Sequence, residues 1–397
     1  MTANTLSDAT VLADFPPSLT GQVHTPCYLI NSEAIRRNCR TLAQVRERSG
    51  AKILLALKAF ALPAAFPLIR QYLDGVCASG PIEAQLGRED FGGEVHTYAP
   101  AYSHGQMARV LTFSNHILFN SLSEWQRHRP AIAQAEAMGR QIKLGLRVNP
   151  GYSEVATPLY NPCRPGSRFG LLAEELQDAD LTGISGLHFH ALCEQGADVL
   201  TRVLAHFEEK FSPWLKQMSW VNFGGGHHIS RADYDVDLLC RTITDFRARH
   251  GNIQVYLEPG EAVVLNAGVF VTTVLDVLDR QPPIAILDSS AETHLPDILA
   301  MPYRPHIIGA GEAGQLPYTY HLGGISCLAG DVFGDYSFTR PLATGDRLVM
   351  TDMALYTFVK NTSFNGVELP EIYLIDEALQ PRSLRRFSFD DYRGRLT

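Results

Sequence analysis

Short apolar segments recur along the first two thirds of the chain, and the residues between them carry apolar side chains at helical spacing. The apolar segments are residues 53–57, 75–78, 94–98, 116–119, 142–148, 184–188, 220–223 and 253–257. Helical spacing is clearest over residues 122–138, 199–218 and 234–250. Eight strands that alternate with helices are typical of a (β/α)8 TIM barrel, whereas an open doubly wound sheet usually has fewer strands. The pattern therefore predicts an α/β fold built on such a barrel.

The pattern changes at about residue 268, where helical spacing fades and short alternating segments follow one another. They are residues 269–277, 284–288, 318–322, 347–350, 356–359 and 372–375, with Gly, Pro and Asp between them. Such punctuation is typical of an antiparallel β domain, and we expect the segment 25–30 to join it. We predict a TIM barrel over residues 32–266 and an antiparallel β-barrel or sandwich domain formed by residues 1–31 and 267–397, with a peripheral tail over 381–397.

The composition is that of a soluble globular protein, with 45% hydrophobic and 19% charged residues. The net charge of −8 argues against a nucleic acid or an anionic membrane as partner. No stretch reaches about 18 apolar residues, and the amino terminus does not resemble a signal peptide. The seven cysteines contain no CxxC pair, so the sequence indicates neither a disulfide framework nor a structural zinc site. We expect a cytoplasmic protein.

Polar residues with catalytic potential follow several of the predicted barrel strands. Because catalytic groups of TIM barrels lie at the carboxyl ends of the strands, these residues are expected to converge on one mouth. They are Lys58 after the first strand, Arg147 at the end of the fifth, His188 and His190 at the sixth, the run Gly224-Gly225-Gly226-His227-His228 after the seventh, and Glu258 and Glu261 after the eighth.

Each of these elements has a chemical and a structural interpretation. Lys58 follows five apolar residues, and a desolvated lysine is a nucleophile toward aldehydes; otherwise it is a lysine that extends to solvent. The glycine triplet, followed by a helix expected near Ser230, could cradle a phosphate or simply form a tight turn. Glu258 could pair with a pyridinium nitrogen or form an ion pair inside the barrel.

The four histidines at the mouth leave two functional interpretations open. His188 and His190, with His227 and His228, could bind a metal as in barrel hydrolases. Alternatively, one imidazole could stack on a flat cofactor ring. The metal interpretation leaves Lys58 and the glycine triplet without a role, and at least one of the histidines is expected to be an ordinary core residue.

The order of these motifs resembles the fold-type III pyridoxal-phosphate decarboxylases, the alanine racemase-like barrels. The resemblance rests on Lys58, His190, the glycine triplet and Glu258-Pro259-Gly260, and it continues in the predicted β domain. There, Cys327 and Asp331 match a Cys-x-x-x-Asp motif, and the segment 354–357 resembles the Ala-Tyr phosphate clamp. Residues 161–170, 190–194 and 258–261 are most similar to members that act on polyamine-derived amino acids such as carboxynorspermidine.

The resemblance implies a cofactor, pyridoxal 5'-phosphate, and a role for each residue. Lys58 would hold the cofactor as a Schiff base, and Glu258 would keep its ring nitrogen protonated. His190 would stack on the ring above Arg147. The phosphate would be bound by Gly224, Gly225, Gly226 and Gly260, and Cys193 stands where relatives often have a phosphate-site serine.

The β domain of a second subunit is implied to complete the site. Tyr356 would close the phosphate site, Cys327 would protonate the α-carbon, and Asp331 would lie beside the substrate's amines. Such composite sites imply an obligate homodimer with twofold symmetry. No metal is expected in the site.

Glu261 departs from the pattern of relatives that act on diaminopimelate or ornithine, which carry Arg there. An anion in place of a cation favours a distal amine over a distal carboxylate. Asp297 would be a second anion for the polyamine arm, or only a helix or turn cap. We therefore expect decarboxylation of carboxynorspermidine and carboxyspermidine. The alternatives are a diaminopimelate or other basic amino-acid decarboxylase, a racemase, a zinc-dependent barrel hydrolase, and a non-catalytic pyridoxal-phosphate carrier.

Overall fold

Eight parallel strands close into a barrel in the computed structural model, which describes residues 7–301 and 303–397. In chain order the barrel strands are Lys52–Ala56, Gly75–Ala78, Glu94–Tyr98, His116–Phe119, Lys143–Arg147, Ile184–His188, Trp220–Asn222 and Gln254–Leu257. Each strand pairs in parallel with the next, and the eighth pairs with the first. The TIM barrel predicted from the eight apolar segments is confirmed, with strand ends within a few residues of those predicted.

Helices follow most of the strands. They are Ser32–Ser49, Phe66–Ile69, Pro81–Leu86, His104–Phe113, Leu122–Ala137, Ala197–Leu215, Val236–Arg249 and Glu261–Val264, with short helical turns at Pro63–Ala65, Gly87–Phe91 and Ala173–Leu176. Local sequence explains where they begin: the Ser121 and Asp235 side chains accept hydrogen bonds from backbone N–H groups three residues on. No helix in the described part of the chain is long and apolar enough to cross a membrane.

Aromatic side chains fill the barrel interior. Trp220 and Tyr256 are almost fully buried and pack with Leu54 and Leu118. Two strand glycines make room for the indole, because a Cβ atom at Gly186 would lie 2.0 Å from the Trp220 ring. Gly145 is constrained in the same way. The interior is therefore a packed core, which leaves the strand ends as the places for chemistry.

The chain divides into two compact units, one spanning Arg37–Val263 and the other combining residues up to Arg36 with those from Val264 onward. The sequence analysis placed these boundaries at residues 32 and 266. Residues 1–6 of the expected β domain lie outside the described residues.

The second unit contains a sheet of eight strands. Along the sheet their order is Val332–Phe338, Tyr318–Gly323, Ile284–Leu287, Gly268–Leu278, Cys27–Asn31, Glu371–Ile375 and Pro381–Arg385, and Arg347–Thr351 also pairs with Gly268–Leu278. The prediction of an antiparallel domain holds for five of the seven strand pairings and is wrong for the other two. Cys27–Asn31 pairs in parallel with Glu371–Ile375, and Ile284–Leu287 in parallel with Tyr318–Gly323, so the sheet is mixed. Chain segments far apart in sequence meet here, and periodicity cannot reveal their relative direction.

Three details of this unit differ from the sequence expectation. Residues 356–359 do not form a strand, since Tyr356–Phe358 is a helical turn and Tyr356 has a φ of +36°. The strand Val332–Phe338 was missed because Gly334 and Asp335 interrupt its alternation. The tail contains the strand Pro381–Arg385 and the helix Phe389–Leu396. Further helices of this unit are Asp8–Asp14, Pro17–Thr20, Ala291–His294 and Asp297–Ala300, with a helical turn at Phe364–Gly366.

Candidate active site at the carboxyl end of the barrel

Glu258 lies just beyond the eighth barrel strand with a side chain that is 12% exposed. The Asn222 side-chain amide donates to Glu258 Oε1 at 2.7 Å, and His188 Nε2 lies 3.4 Å from Oε2. Burial opposes ionisation, but His188 and the Lys58 charge outweigh it and lower the pKa of Glu258 to about 2. The mouth therefore contains a buried carboxylate that stays ionised at neutral pH.

His190 follows the sixth strand and is held in one tautomer. The Gly225 N–H donates to His190 Nδ1 at 2.9 Å, so the ring proton of the neutral imidazole resides on Nε2. Burial, together with the Lys58 and Arg147 charges, lowers the pKa of His190 well below its usual range. His190 is thus a neutral imidazole with a fixed orientation. Such a ring is suited to stack on a flat group.

The glycine triplet after the seventh strand adopts backbone conformations that other residues resist. Gly224 and Gly226 have φ values of +71° and +87°. A Cβ atom at Gly225 would lie 2.1 Å from the Glu258 carbonyl oxygen, and one at Gly226 would lie 2.0 Å from Leu192 O. The Gly224 N–H is already bound to the Asn222 side chain at 2.8 Å. The backbone of the triplet therefore packs directly against Glu258, at the end of the eighth strand, and against the segment after His190.

The helix expected near Ser230 is absent. The chain forms turns from His228 to Asp235, and the next helix is Val236–Arg249. A helix dipole behind the glycine triplet is therefore no part of this site. Gly260 occupies an equally crowded place, since a Cβ atom there would lie 2.5 Å from the Ala59 Cβ.

Lys58 lies in the turn after the first strand, and its side chain is exposed. The expectation of a desolvated lysine inside the barrel is wrong, because the strand ends at Ala56 and the Ala59 N–H closes a turn onto the Ala56 carbonyl. The Lys58 charge nevertheless lowers the pKa values of His190 and Glu258. The ammonium group thus faces the same mouth as these two residues.

Arg147 ends the fifth strand and is 6% exposed. Its guanidinium lies over the Tyr98 ring at 4.6 Å and the Phe169 ring at 4.5 Å, and it donates to the His190 carbonyl at 3.4 Å. Stacking on two aromatic rings offsets part of the cost of burying a cation. Arg147 supports the turn that carries His190, next to the position expected for the cofactor ring.

Glu261 begins the short helix after the eighth strand and is 12% exposed. Its Oε2 lies 2.7 Å from His228 Nε2. Burial, followed by the Glu261 charge, raises the pKa of two neighbouring residues, that of the Cys193 thiol to about 12 and that of the Glu194 carboxyl above its usual value. Those neighbours, Cys193 and Glu194, lie in the segment after His190, so the mouth has an acidic side.

The four histidines do not share a metal-binding arrangement. His190 accepts from Gly225, His227 Nδ1 lies 3.2 Å from the Tyr234 hydroxyl, and His228 contacts Glu261. Within the described ranges, the one group of three side chains with converging metal ligands lies elsewhere. The zinc-hydrolase interpretation thus loses its ligand set.

The predicted site residues of the sheet unit are held as follows. Cys327 has an exposed, free thiol, and its N–H donates to Asn365 Oδ1 at 2.6 Å. Asp331 is buried, and its carboxylate accepts N–H bonds from Ala291 at 2.6 Å and Ser326 at 2.9 Å. The Asp331 carboxylate thus anchors the loop that presents Cys327. Its predicted contact with substrate amines stays a prediction.

Asp297 and Tyr356 both contact Lys360. The Asp297 Oδ1 lies 2.5 Å from Lys360 Nζ, and that ammonium lies 5.3 Å from the centre of the Tyr356 ring. Asp297 is therefore already paired with a cation within its own unit. Its proposed role as a second anion for the substrate requires Lys360 to be displaced, which weakens that prediction.

Sequence analysis missed two residues that organise the site. Asn222 is fully buried and binds both Glu258 and the Gly224 N–H, so it links the carboxylate to the glycine triplet. A polar residue that ends an apolar strand two positions before three glycines was the available signal. His188 was predicted at the mouth as a metal ligand, a ring-stacking imidazole or a core residue, but its contact with Glu258 was missed. Both its ring nitrogens lack a hydrogen-bond partner among the described residues, and Nε2 faces Glu258.

The family model of the pyridoxal-dependent decarboxylases, described as their C-terminal sheet domain, matches residues 27–354. The chain belongs to the pyridoxal-dependent decarboxylases. A carboxynorspermidine/carboxyspermidine decarboxylase from Campylobacter jejuni is 42% identical over 382 residues, covering 94% of this chain and 98% of that protein. A carboxyaminopropylagmatine decarboxylase from Synechocystis is 40% identical and covers 94% of this chain and 95% of its own length. The family predicted from the motifs is confirmed.

Solved structures agree with this assignment. The carboxynorspermidine decarboxylase of Campylobacter jejuni, complexed with norspermidine, superposes with a TM-score of 0.86 at 41% identity, covering 94% of this chain and 100% of that one. The diaminopimelate decarboxylase of Helicobacter pylori, complexed with L-lysine, reaches a TM-score of 0.81 at 17% identity, with coverage of 96% and 98%. The second comparison shows the decarboxylase fold alone.

Proposed function

We propose that the chain decarboxylates carboxynorspermidine and carboxyspermidine, with pyridoxal 5'-phosphate as cofactor. The observation that carries this proposal is Glu261, a half-buried anion at the barrel mouth that faces His228 rather than a cation. The Campylobacter jejuni relative, 42% identical, is named for both substrates. Each substrate is an α-amino acid with a polyamine arm, so an anion at this position attracts the arm and repels a distal carboxylate.

The mouth residues fit a pyridoxal ring and its phosphate. When bound, this cofactor accepts the electron pair that remains when the carboxylate leaves as carbon dioxide. Glu258, ionised and held by Asn222, would keep a ring nitrogen protonated. His190 would present its oriented, neutral face to the ring. The contacts from Asn222 and Gly225 hold the Glu258 carboxylate and the His190 ring in place, and both side chains would contact the ring of the cofactor.

Lys58 would hold the cofactor through its exposed Nζ. The turn of Gly224–Gly226 and the Gly260 backbone would bind the phosphate. The Gly224 and Gly225 N–H groups are already bound to Asn222 and His190. Gly226 N–H has no partner within the described ranges, so it is available for that purpose. Cys193 lies next to this segment and would contact the phosphate side.

The sheet unit would complete the site of a second subunit. The exposed thiol of Cys327 is flanked by Ile325 and Leu328, which are 41% and 40% exposed, and Phe364 beside its partner Asn365 is 44% exposed. Exposed apolar residues grouped around an exposed thiol are typical of an interface. In a homodimer with twofold symmetry, Cys327 and Tyr356 would reach the partner's barrel, with Cys327 as proton donor to the α-carbon.

Carboxyaminopropylagmatine is the second candidate substrate, because the Synechocystis relative named for it is 40% identical over nearly the whole chain. Its arm ends in a guanidinium group rather than an ammonium group. A planar guanidinium can bind a carboxylate through two parallel hydrogen bonds. Glu261 suits either cation, so the choice between them needs a direct competition.

Absorbance and product release test this function together. The purified protein should show a visible band that borohydride abolishes, since borohydride reduces an imine between lysine and the cofactor. Carbon dioxide release should then be measured from carboxynorspermidine, carboxyspermidine, carboxyaminopropylagmatine and meso-diaminopimelate. Release from the first two at the highest kcat/KM supports the proposal. A preference for the guanidinium substrate selects the second candidate, and a preference for diaminopimelate contradicts the role of Glu261.

A further inference from the structure

The amino-terminal end of the barrel contains a second polar cluster, on the opposite side from the catalytic mouth. Glu94 is the first residue of the third strand, and His96 lies two residues on, so both side chains point to the same face. His116 begins the fourth strand and is the register partner of His96. Strand pairing therefore places one carboxylate and two imidazoles side by side inside the barrel.

The two histidines are buried without enough hydrogen-bond partners. His116 is 3% exposed, and neither of its ring nitrogens has a partner among the described residues. His96 is fully buried, and its Nδ1 also lacks one. Native proteins satisfy nearly all such atoms, commonly with a water molecule or an ion. Three unpartnered nitrogens next to one carboxylate thus point to a bound species.

The donor atoms converge on a small volume. One ligand atom from each of the three residues lies within 4.8 Å of the other two, and Glu94 Oε2 lies 3.3 Å from His96 Nε2. Zinc bonds of ~2.1 Å place tetrahedral ligand atoms roughly 3.4 Å apart. The His96 and His116 rings are stacked, with centres 3.8 Å apart and 21° between their planes, so one ring must turn about its Cβ–Cγ bond before both can direct a nitrogen at the same ion. The Tyr256 hydroxyl donates to Glu94 Oε2 at 3.0 Å and so orients the carboxylate.

The protonation states suit a divalent metal. Burial lowers the pKa of His96 and lowers that of His116 to about 2, so both imidazoles are neutral and offer lone pairs at neutral pH. Burial raises the pKa of Glu94, but hydrogen bonds from His96 and Lys52 outweigh it and hold that pKa below its usual range. Two neutral imidazoles and one carboxylate form a donor set that zinc uses in proteins.

We propose that Glu94, His96 and His116 bind Zn²⁺ at the amino-terminal end of the barrel, where the ion joins the third and fourth strands. None of the three ligands is a strand-end residue of the decarboxylation site, so the role proposed for the ion is structural. Glu94 is half-buried, with a side chain that is 26% exposed, which leaves a path for the ion from that end.

Lys52 is the competitor of the metal. Its ammonium group forms an ion pair with Glu94 Oε1 and lies 5.7 Å from the centre of the Tyr256 ring. The Lys52 side chain is 37% exposed, so it can turn to solvent when an ion enters. Removal of this cation should therefore strengthen metal binding, although the change adds no ligand.

The test uses the purified holoenzyme, stripped with a chelator, dialysed against Zn²⁺ and assayed by elemental analysis, with Co²⁺ as a spectroscopic probe. Wild type should bind one Zn²⁺ per chain and show the visible bands of tetrahedral Co²⁺. E94Q, which keeps the side-chain shape, should weaken binding at least tenfold, and H116A should abolish it. K52M should strengthen it several-fold.

H128Q is the matched control, because His128 is also buried but contacts the Tyr102 carbonyl instead of the cluster. It should bind zinc as wild type does. The proposal is overturned if E94Q binds as much zinc per chain as wild type does. It is also overturned if K52M binds zinc no more tightly than wild type does. A second sign of a folded site is a rise in Tm with added Zn²⁺ in wild type that is lost in E94Q.

Discussion

The two ends of the barrel both contain a carboxylate among histidines, but the surroundings of the two carboxylates differ. At the carboxyl end, Glu258 is bound by the neutral Asn222 amide and faces His188. At the amino-terminal end, Glu94 is paired with Lys52, a cation that reaches solvent. A carboxylate held mainly by neutral donors keeps its charge available for a ligand, whereas one paired with lysine must exchange that cation for a ligand.

This comparison also explains why the glycine triplet belongs to one end only. Gly224 and Gly226 have positive φ values where the backbone must approach Glu258 and the His190 segment closely. The amino-terminal end carries aromatic rings instead, with His96 and His116 stacked at 3.8 Å between ring centres. The carboxyl end thus presents backbone groups of glycine, whereas the amino-terminal end presents the side chains of buried histidines.

The largest expected effect distinguishes substitution of Lys58, at the catalytic mouth, from substitution of Lys52, at the opposite end of the barrel. K58A should lose the borohydride-sensitive absorbance and at least about 10³-fold in kcat, because it removes the group proposed to hold the cofactor. K52A, at the opposite end, should keep both. Absorbance spectra and steady-state kinetics of the two variants check this. A K58A protein that retains colour and turnover contradicts the assigned role.

The next test compares the two carboxylates. E258Q should lower kcat by roughly 10²- to 10³-fold, since a neutral amide cannot stabilise a protonated ring nitrogen. Bound cofactor should remain, with a shifted absorbance maximum. E94Q is the control and should keep kcat within about twofold, because nothing at that end contacts the proposed substrate. Equal losses in both variants would show that the effect is one of folding.

Substrate selectivity should depend on Glu261. E261R should lower kcat/KM for carboxynorspermidine by roughly 10- to 100-fold, because it replaces the anion facing the polyamine arm with a cation. The cofactor spectrum should be unchanged, and activity on meso-diaminopimelate should fall less or rise. E261Q, which only removes charge, should fall between wild type and E261R. An unchanged KM in E261R would sink the selectivity argument.

The smallest expected effect is a pH dependence of stability. The pKa of Glu258 falls from an ordinary value near 4.5 to about 2 in the folded state. A lowered folded-state pKa contributes stability above the unfolded value, here about 3 kcal/mol at pH 7, and that contribution is lost as pH falls from about 5 to 2. Urea unfolding at pH 7 and pH 3 should therefore show a larger acid loss in wild type than in E258Q. Equal losses of stability at pH 3 in wild type and E258Q would contradict the lowered pKa of Glu258.

Local patterns were sufficient to predict the barrel and most of the mouth. Eight apolar segments separated by helical spacing can bury their side chains in few other ways, and parallel strands bring their carboxyl ends to one edge. That is why Glu258 and His190 could be predicted to lie together. The family motifs added the chemistry expected of Lys58 and Cys327.

Other features depend on contacts between residues far apart in the chain. The exposure of Lys58 is set by a turn in which the Ala59 N–H binds the Ala56 carbonyl, and the chain near Ser230 forms turns where a helix was expected. The mixed sheet arises because Cys27–Asn31 lies between a strand that follows the barrel and one near the carboxyl terminus. Periodicity reports which face is buried, but it does not report which strand lies alongside.

The sequence by itself determined the order of the barrel strands and the residue types at their ends, because these depend on local spacing of apolar and polar side chains. Its motifs indicated the family. Only the tertiary structure decided that Asn222 links Glu258 to the glycine triplet, that Asp297 is paired with Lys360, and that His96 and His116 meet as register partners. The physical reason is that protonation, pairing and ligand geometry depend on distances of a few ångströms between side chains. Strand register and turn geometry set those distances, and one sequence read along its length does not contain them.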